Sequence, residues 1–277
     1  MNNEIEIRLA ATVMLVRDSD QGLETFMLRR NSKSKFVPGQ FVFPGGAVDV
    51  NDQLIASTER ISGGFDDSKA SNLLNVESGG LAYWIAAIRE CFEEAGALLA
   101  QIDGKDLSLS DPETNERFQG HRAAVYRGDL TMTELCRLEG LQLNFDELRY
   151  VSHWITPAGP PRRFDTRFFI ARLPSGQRPA HDGGETVDSC WVTPKQAMEL
   201  HQAGEFQMIM PTIANLEPLI GIETVEEAMS WADGLSDIPE ILPAISLSES
   251  GVPSVFMPGE AGYEEALLNP PPPGSTA

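Results

Sequence analysis

Apolar positions along this chain follow two periods. Residues 5–16 alternate loosely and end in Ala11-Thr12-Val13-Met14-Leu15-Val16, which predicts a buried strand. Thr25-Phe26-Met27-Leu28-Arg29 predicts its partner, with Asp18-Ser19-Asp20-Gln21-Gly22 as the turn of a hairpin. Residues 148–156, 166–173 and 187–192 read as further strands, and 98–102 as a short one. A helical period runs over 82–95 and stops at Gly96, a residue suited to a left-handed cap. Residues 112–126 and 131–139 are also helical in pattern, the second opened by Thr131 and Glu134 as a capping box. This pair, within an insertion over 105–145, is expected to shape substrate choice. Thr193-Pro194 opens a helix to about Ala203, and 211–219 and 224–235 continue the helical reading. Residues 201–265 form a helical or irregular extension whose pattern dissolves beyond Asp237, and 266–277 a mobile Pro-rich tail. Residues 51–80, rich in Ser, Asp, Asn and Gly, read as a surface excursion. Strands and helices in this order give an α+β class.

Composition narrows the picture. With 277 residues, 42% of them hydrophobic, the chain can bury one substantial core plus an appendage. The net charge of -20 argues against nucleic acid as a partner. It also repels an anionic nucleotide at long range, so a phosphorylated substrate needs a local metal or arginine cluster. No apolar run has the length of a membrane helix, and Met1–Ile7 lacks a signal core, so no membrane partner and no secretion are expected. Three scattered cysteines suit a reducing compartment, and a cytoplasmic location is expected; a homodimer is compatible with the sequence.

The candidate chemistry sits on the helix over 82–95. At roughly 100° per residue, Glu90, Glu93 and Glu94 fall within one third of the circumference, opposite Ile85, Ile88, Phe92 and Ala95. One face can pack on a sheet while the other gathers carboxylates that repel one another, either solvated or holding a cation. Oxygen ligands suit Mg²⁺ or Mn²⁺, and no Cys/His cluster suits zinc. Upstream, Phe43-Pro44-Gly45-Gly46 makes a corner where backbone can approach an ion. Arg30, Lys33 and Lys35 read either as phosphate contacts or as a solvated basic loop. Arg162, Arg163 and Arg167 read either as phosphate contacts or as partners of acids such as Asp165.

These residues resemble the Nudix box, Gx5Ex7REUxEExGU with U a bulky apolar residue. Arg89, Glu90, Glu93, Glu94 and Gly96 stand at the spacings of its second half, and Gly45-Gly46 resembles its opening. Residues 51–80 are inserted between the two, and Leu81 stands where the first glutamate is expected counting back from Arg89. Asp66, Asp67 and Glu77 are the inserted carboxylates that could replace it, or else solvated loop charges. His153-Trp154-Ile155-Thr156-Pro157 and Arg163-Phe164-Asp165-Thr166-Arg167-Phe168-Phe169 resemble the Nudix branch that contains a peroxisomal coenzyme A diphosphatase. Arg30, Lys35 and Gly39 partly match that branch's RSx3Rx3Gx3FPGG element, with Asn31 for its serine and Lys35 for its second arginine.

The resemblance implies a Nudix-type α/β/α sandwich with a mixed curved sheet over residues 1–200. It implies a divalent ion, Mg²⁺ or Mn²⁺, on Glu90, Glu93, Glu94 and the backbone carbonyl of Ala47, with Arg89 orienting the acids. Glu185 is the candidate to complete that site or take a proton from water, or a solvated turn acid. Arg30, Lys35, Arg163 and Arg167 are the candidate contacts to a small-molecule nucleotide substrate. The implied reaction is hydrolysis of a phosphoanhydride, foremost in coenzyme A or acyl-coenzyme A. Its products would be 3′-phosphoadenosine 5′-phosphate and (acyl-)4′-phosphopantetheine. Nucleotide sugars or dinucleotides as substrates, and a ligand-binding sensor without hydrolysis, are the other readings.

Overall fold

A computed structural model describes residues 5–34, 37–55 and 64–276. The predicted hairpin is present as β1 (Ile7–Ser19) and β2 (Gly22–Arg30), with Ser19 opposite Gly22. Their ladder covers only Val16–Ser19, and beyond it the two strands part. The fork is filled by β3 (Phe41–Val42), which pairs with Leu28 and Arg29, and β4 (Gly45–Ala47), which pairs with Ala10–Thr12. Pro44 sits between them, where its missing N–H costs no ladder bond and its carbonyl accepts from Val13 N–H at 2.8 Å. The fork therefore carries the glycine corner into the middle of the sheet.

A small second sheet is made by β5 (Ala100–Ile102), β6 (Lys105–Asp106) and β7 (Gln142–Leu143). The main sheet continues with β8 (Leu148–Ile155), β9 (Arg163–Arg172), β10 (Thr186–Val192) and β11 (Glu240–Ile241), in the order β10-β2-β1-β9-β8-β11. It is mixed: β9 runs parallel to β1 and β11 parallel to β8, while the other pairs are antiparallel. A separate hairpin joins β12 (Ala244–Leu247) and β13 (Pro253–Phe256).

Nine α-helices are described: α1 (Val50–Ile55), α2 (Asp67–Leu74), α3 (Leu81–Glu90), α4 (Pro112–Tyr126), α5 (Met132–Glu139), α6 (Pro194–Gln202), α7 (Met210–Leu216), α8 (Val225–Asp233) and α9 (Tyr263–Leu268). Because side chains alternate along a strand, β1 feeds two cores. Ala11, Val13 and Leu15 pack with Trp84, Ile85, Ile88 and Phe92 on one face. Met14 and Val16 pack with Ala197, Leu216, Val225 and Ala228 on the other. The result is the α/β/α sandwich, and residues beyond 200 supply much of its second helical layer.

Three differences from the sequence reading bear on function. α3 is α-helical only to Glu90, and Cys91–Ala95 form a wider π turn closed by Gly96 at φ 71°. The segment over 51–80 is more than a surface excursion, since Phe65, Ala70 and Leu74 join the first core. Its Asp66 caps α2 through Lys69 N–H, and Asp67 accepts from the Gly79 and Leu81 amides, so both serve as caps. Beyond Asp237 the chain still forms three short strands and α9, and the Thr276 amide donates to Gly159 O at 3.4 Å. Among the described residues, no helix is long and apolar enough to cross a membrane.

Candidate active site

The two glycines at the corner are required for different reasons. A Cβ on Gly45 would lie 2.5–2.7 Å from Thr12 and the backbone of Ala11, so the neighbouring strand excludes it. A Cβ on Gly46 would lie 2.5–2.6 Å from the carboxylate of Glu90, so there the acid occupies the space. Gly45 N–H also donates to Glu94 Oε2 at 3.0 Å. The end of α3 and the π turn after it thus aim two of the three glutamates at this bend.

Arg89 ties the rest together. Its Nη1 donates to Glu90 Oε1 at 2.8 Å and Glu93 Oε1 at 3.0 Å. Its Nη2 donates to the carbonyl of Ala47 at 2.8 Å and to Asp52 Oδ2 at 2.9 Å, and its Nε donates to Asp52 Oδ1 at 3.0 Å. Asp52 is 1% exposed. It stands six residues after Gly46, where Gx5E places its glutamate. The box's first acid is therefore present as aspartate, and the insertion falls after it. Leu81, the position reached by counting back from Arg89, is a core residue. The signal was available by counting forward from the glycine.

Burial without enough positive charge shapes the electrostatics. It pushes the Glu90 carboxyl up to about 7, with Arg89 opposing the shift and Glu93 adding to it. Glu94 is raised well above the usual range by burial and then by repulsion from Glu90, against the Gly45 amide and the charge of Arg30. Glu93 and Asp52 are raised by burial despite Arg89. Burial disfavours the charge on Arg89, but the surrounding acids outweigh it and hold the guanidinium protonated.

Among the described residues, no three acidic, His or Cys side chains converge on one metal point, and the Arg89 fork is bonded to oxygens of Glu90, Glu93 and Ala47. The donor chemistry nevertheless fits a hard divalent cation. Every donor is an oxygen, the desolvated negative charge exceeds the single guanidinium, and the side-chain-free face of Gly46 leaves Glu90 room.

Of the remaining candidates, Glu185 is half-exposed and its Oε2 lies 3.6 Å from Arg30 Nη2. Its loop is fixed by Asp182, which accepts from the amides of Gly184, Glu185 and Thr186. Glu185 adds to the negative field at Glu93 and Glu94. Arg30 on β2 donates to Ser34 Oγ at 3.2 Å, and its charge acts on Glu94. Lys35 lies outside the described residues. Arg163 donates to Thr156 O at 2.9 Å. Arg167 is buried, donates to Asp165 Oδ1 at 2.5 Å and faces the ring of Tyr83 at 5.4 Å. Besides Asp52, sequence reasoning missed Tyr126, whose hydroxyl lies 3.4 Å from where a Cβ on Gly184 would be, and Arg122. Both are single polar residues on α4, with no local pattern to mark them.

Comparison with known proteins agrees with this geometry. The family model described as the NUDT19 Nudix domain matches residues 56–219. The acyl-coenzyme A diphosphatase NUDT19 of Xenopus laevis is 28% identical, covering 87% of this chain and 72% of its own. Its Homo sapiens counterpart is 27% identical, covering 88% and 73%. The crystal structure of a NUDIX hydrolase from Alicyclobacillus acidocaldarius superposes with a TM-score of 0.65 at 28% identity, over 82% of this chain and 96% of that one. Since the family model spans more than half of the sequence and the residues of the box gather around Arg89, the chain belongs to the Nudix hydrolases, among those with a NUDT19-type domain.

Proposed function

We propose that this Nudix hydrolase splits the phosphoanhydride of coenzyme A or acyl-coenzyme A in a reaction dependent on Mg²⁺ or Mn²⁺. The products are 3′-phosphoadenosine 5′-phosphate and (acyl-)4′-phosphopantetheine. The observation that carries the reading is the surplus of buried carboxylate at the Gly45-Gly46 bend, where three acids share the Arg89 guanidinium and Glu94 lies beside them on the Gly45 amide. Glu90, Glu93 and Glu94, with the Ala47 carbonyl as a further donor, would hold the divalent ion, which would supply charge neutralisation for the phosphate oxygens and acidify water.

The chain's own residues do the rest. Arg89 and Asp52 fix Glu90 and Glu93 against the bend, and the Gly45 amide holds Glu94. Glu185, half-exposed at the edge of the cluster, is assigned to accept the proton of the attacking water. Arg30 provides local positive charge for the substrate phosphates in a strongly acidic chain, and Arg163 is a second candidate contact. Arg167 keeps Asp165 as its partner. The choice of substrate is supported by relatives bearing the name acyl-coenzyme A diphosphatase.

The test is incubation with Mg²⁺ or Mn²⁺ and coenzyme A, an acyl-coenzyme A, a nucleotide sugar and a dinucleotide, with products identified by mass. The expected result is the 3′-phosphoadenosine and phosphopantetheine pair. Cleavage confined to the nucleotide sugar or dinucleotide would overturn the substrate, and no cleavage of any compound would overturn the reaction.

A further inference from the structure

The helical segment over 105–145 contributes nothing to the chemistry above, yet it sends one cation into the protein. Arg122 on α4 is 8% exposed. Its Nε donates to the carbonyl of Glu93 at 2.9 Å, and its Nη2 donates to the carbonyls of Glu94 at 2.8 Å and Ala180 at 2.9 Å. The first two carbonyls belong to the π turn, at the end of a helix whose last carbonyls have no partner within it. The third belongs to the segment leading to Glu185, which is also tied to the turn by the Ala180 amide donating to Ala95 O at 2.9 Å. Gly96 lets the fork in: a Cβ there would lie 2.9 Å from Arg122 Nη1.

We infer that Arg122 is a positioning residue for the metal ligands. It grips the backbone of Glu93 and Glu94 from behind and registers the Glu185 segment against them, so that their carboxylates meet at one cation. A planar fork can bridge three carbonyls in fixed directions, which a lysine ammonium cannot. The helical insertion then serves as a brace for the π turn. A cation at a helix end also stabilises the helix, so a purely structural role has to be separated from positioning. The inference rests on the metal-dependent reading above, but not on which compound is cleaved.

The experiment measures Mn²⁺ affinity, by electron paramagnetic resonance of free Mn²⁺, in the wild-type chain, Arg122→Met, Arg122→Lys and Leu135→Ala. Leu135 is a buried residue of α5 in the same segment and the same core, with no hydrogen bond to the turn's carbonyls, so its truncation removes packing and leaves the Arg122 bonds in place. Arg122→Met should bind Mn²⁺ on the order of 10–100-fold more weakly, the usual effect of losing an orienting partner behind metal ligands. Arg122→Lys should show a smaller loss. Leu135→Ala, with a lower melting temperature, should keep wild-type affinity. Wild-type affinity in Arg122→Met overturns the inference, and so does an equal loss in Leu135→Ala. Should Arg122→Met not fold, wild-type affinity in Arg122→Lys overturns it. If the wild-type chain binds no Mn²⁺, the metal reading fails and this inference with it; if only the variants behave like wild type, the metal reading stands alone.

Discussion

Two polar clusters on the same face of the sheet handle buried charge in opposite ways. Gly46, Ala11 and Arg167 lie in one row across β4, β1 and β9. At one end of the row, Asp165 accepts from Arg167 and lies 2.8 Å from His153 Nε2, one acid against one permanent cation. Burial works to raise the Asp165 carboxyl, but His153 and Arg167 outweigh it and hold it below the usual range. At the other end Asp52, Glu90 and Glu93 share Arg89 while Glu94 has only the Gly45 amide and the charge of Arg30, and all four acids are raised. Balanced charge holds strands together, whereas the unbalanced charge is what the proposed divalent cation would neutralise. In the sequence both clusters read alike, as arginine beside acid.

The contrast can be broken most forcefully at the balanced end. Asp165→Asn strands a buried guanidinium and should cost about 3–5 kcal/mol in chemical denaturation, while Mn²⁺ affinity stays unchanged. At the unbalanced end Glu94→Gln should do the reverse. Turnover with Mg²⁺ should fall at least about 100-fold, roughly 2.7 kcal/mol in activation free energy. Melting in EDTA should be unchanged or higher, because a desolvated charge is gone.

The glycines sharpen the comparison further. Gly45→Ala places a Cβ against backbone and should lose about 1–3 kcal/mol of stability. Gly46→Ala meets only the end of the Glu90 side chain, so it should fold near normally and lose turnover.

The smallest expected effect is in pH. The folded carboxyl of Glu90 is raised to about 7 from an ordinary 4.5, so the stability linked to its proton is present below about 4.5 and lost as pH rises through 7. The melting temperature in EDTA should therefore decline between pH 5 and 8, and Mg²⁺ should restore more of it at pH 8 than at pH 6. Asp165 runs the other way: its depressed carboxyl stabilises above its ordinary 3.8 and loses that contribution as pH falls below it. A flat profile in EDTA from pH 5 to 8 would contradict the raised carboxyl.

Much of this was legible where local physics dominates. The apolar runs over 11–16 and 25–29 mark β1 and β2, the Thr131–Glu134 pair marks its capping box, and the reading 112–126 matches α4 at both ends. The clustering of Glu90 at the end of α3 with Glu93 and Glu94 in the turn after it, and the bend at Gly45-Gly46, are evident from spacing. What depended on distant contacts was hidden. β3 and β4 have two and three residues, too few for a period, and exist because β1 and β2 diverge. The π turn departs from the 3.6-residue repeat on which the helical reading rests. Asp52 is separated from Arg89 by the insertion, so the box spacing measured back from Arg89 falls on Leu81 instead. The His153–Asp165–Arg167 network depends on the register of β8 against β9.

The most direct measurement is calorimetric titration of Mn²⁺ into the metal-free protein at pH 7.5, wild type beside Glu94→Gln. The expected result is saturable binding by the wild-type chain that is lost or strongly weakened in the variant, with both proteins folded. Equal binding by the two, or none by the wild type, would contradict the claim that the surplus of buried carboxylate at this bend exists to hold a divalent cation.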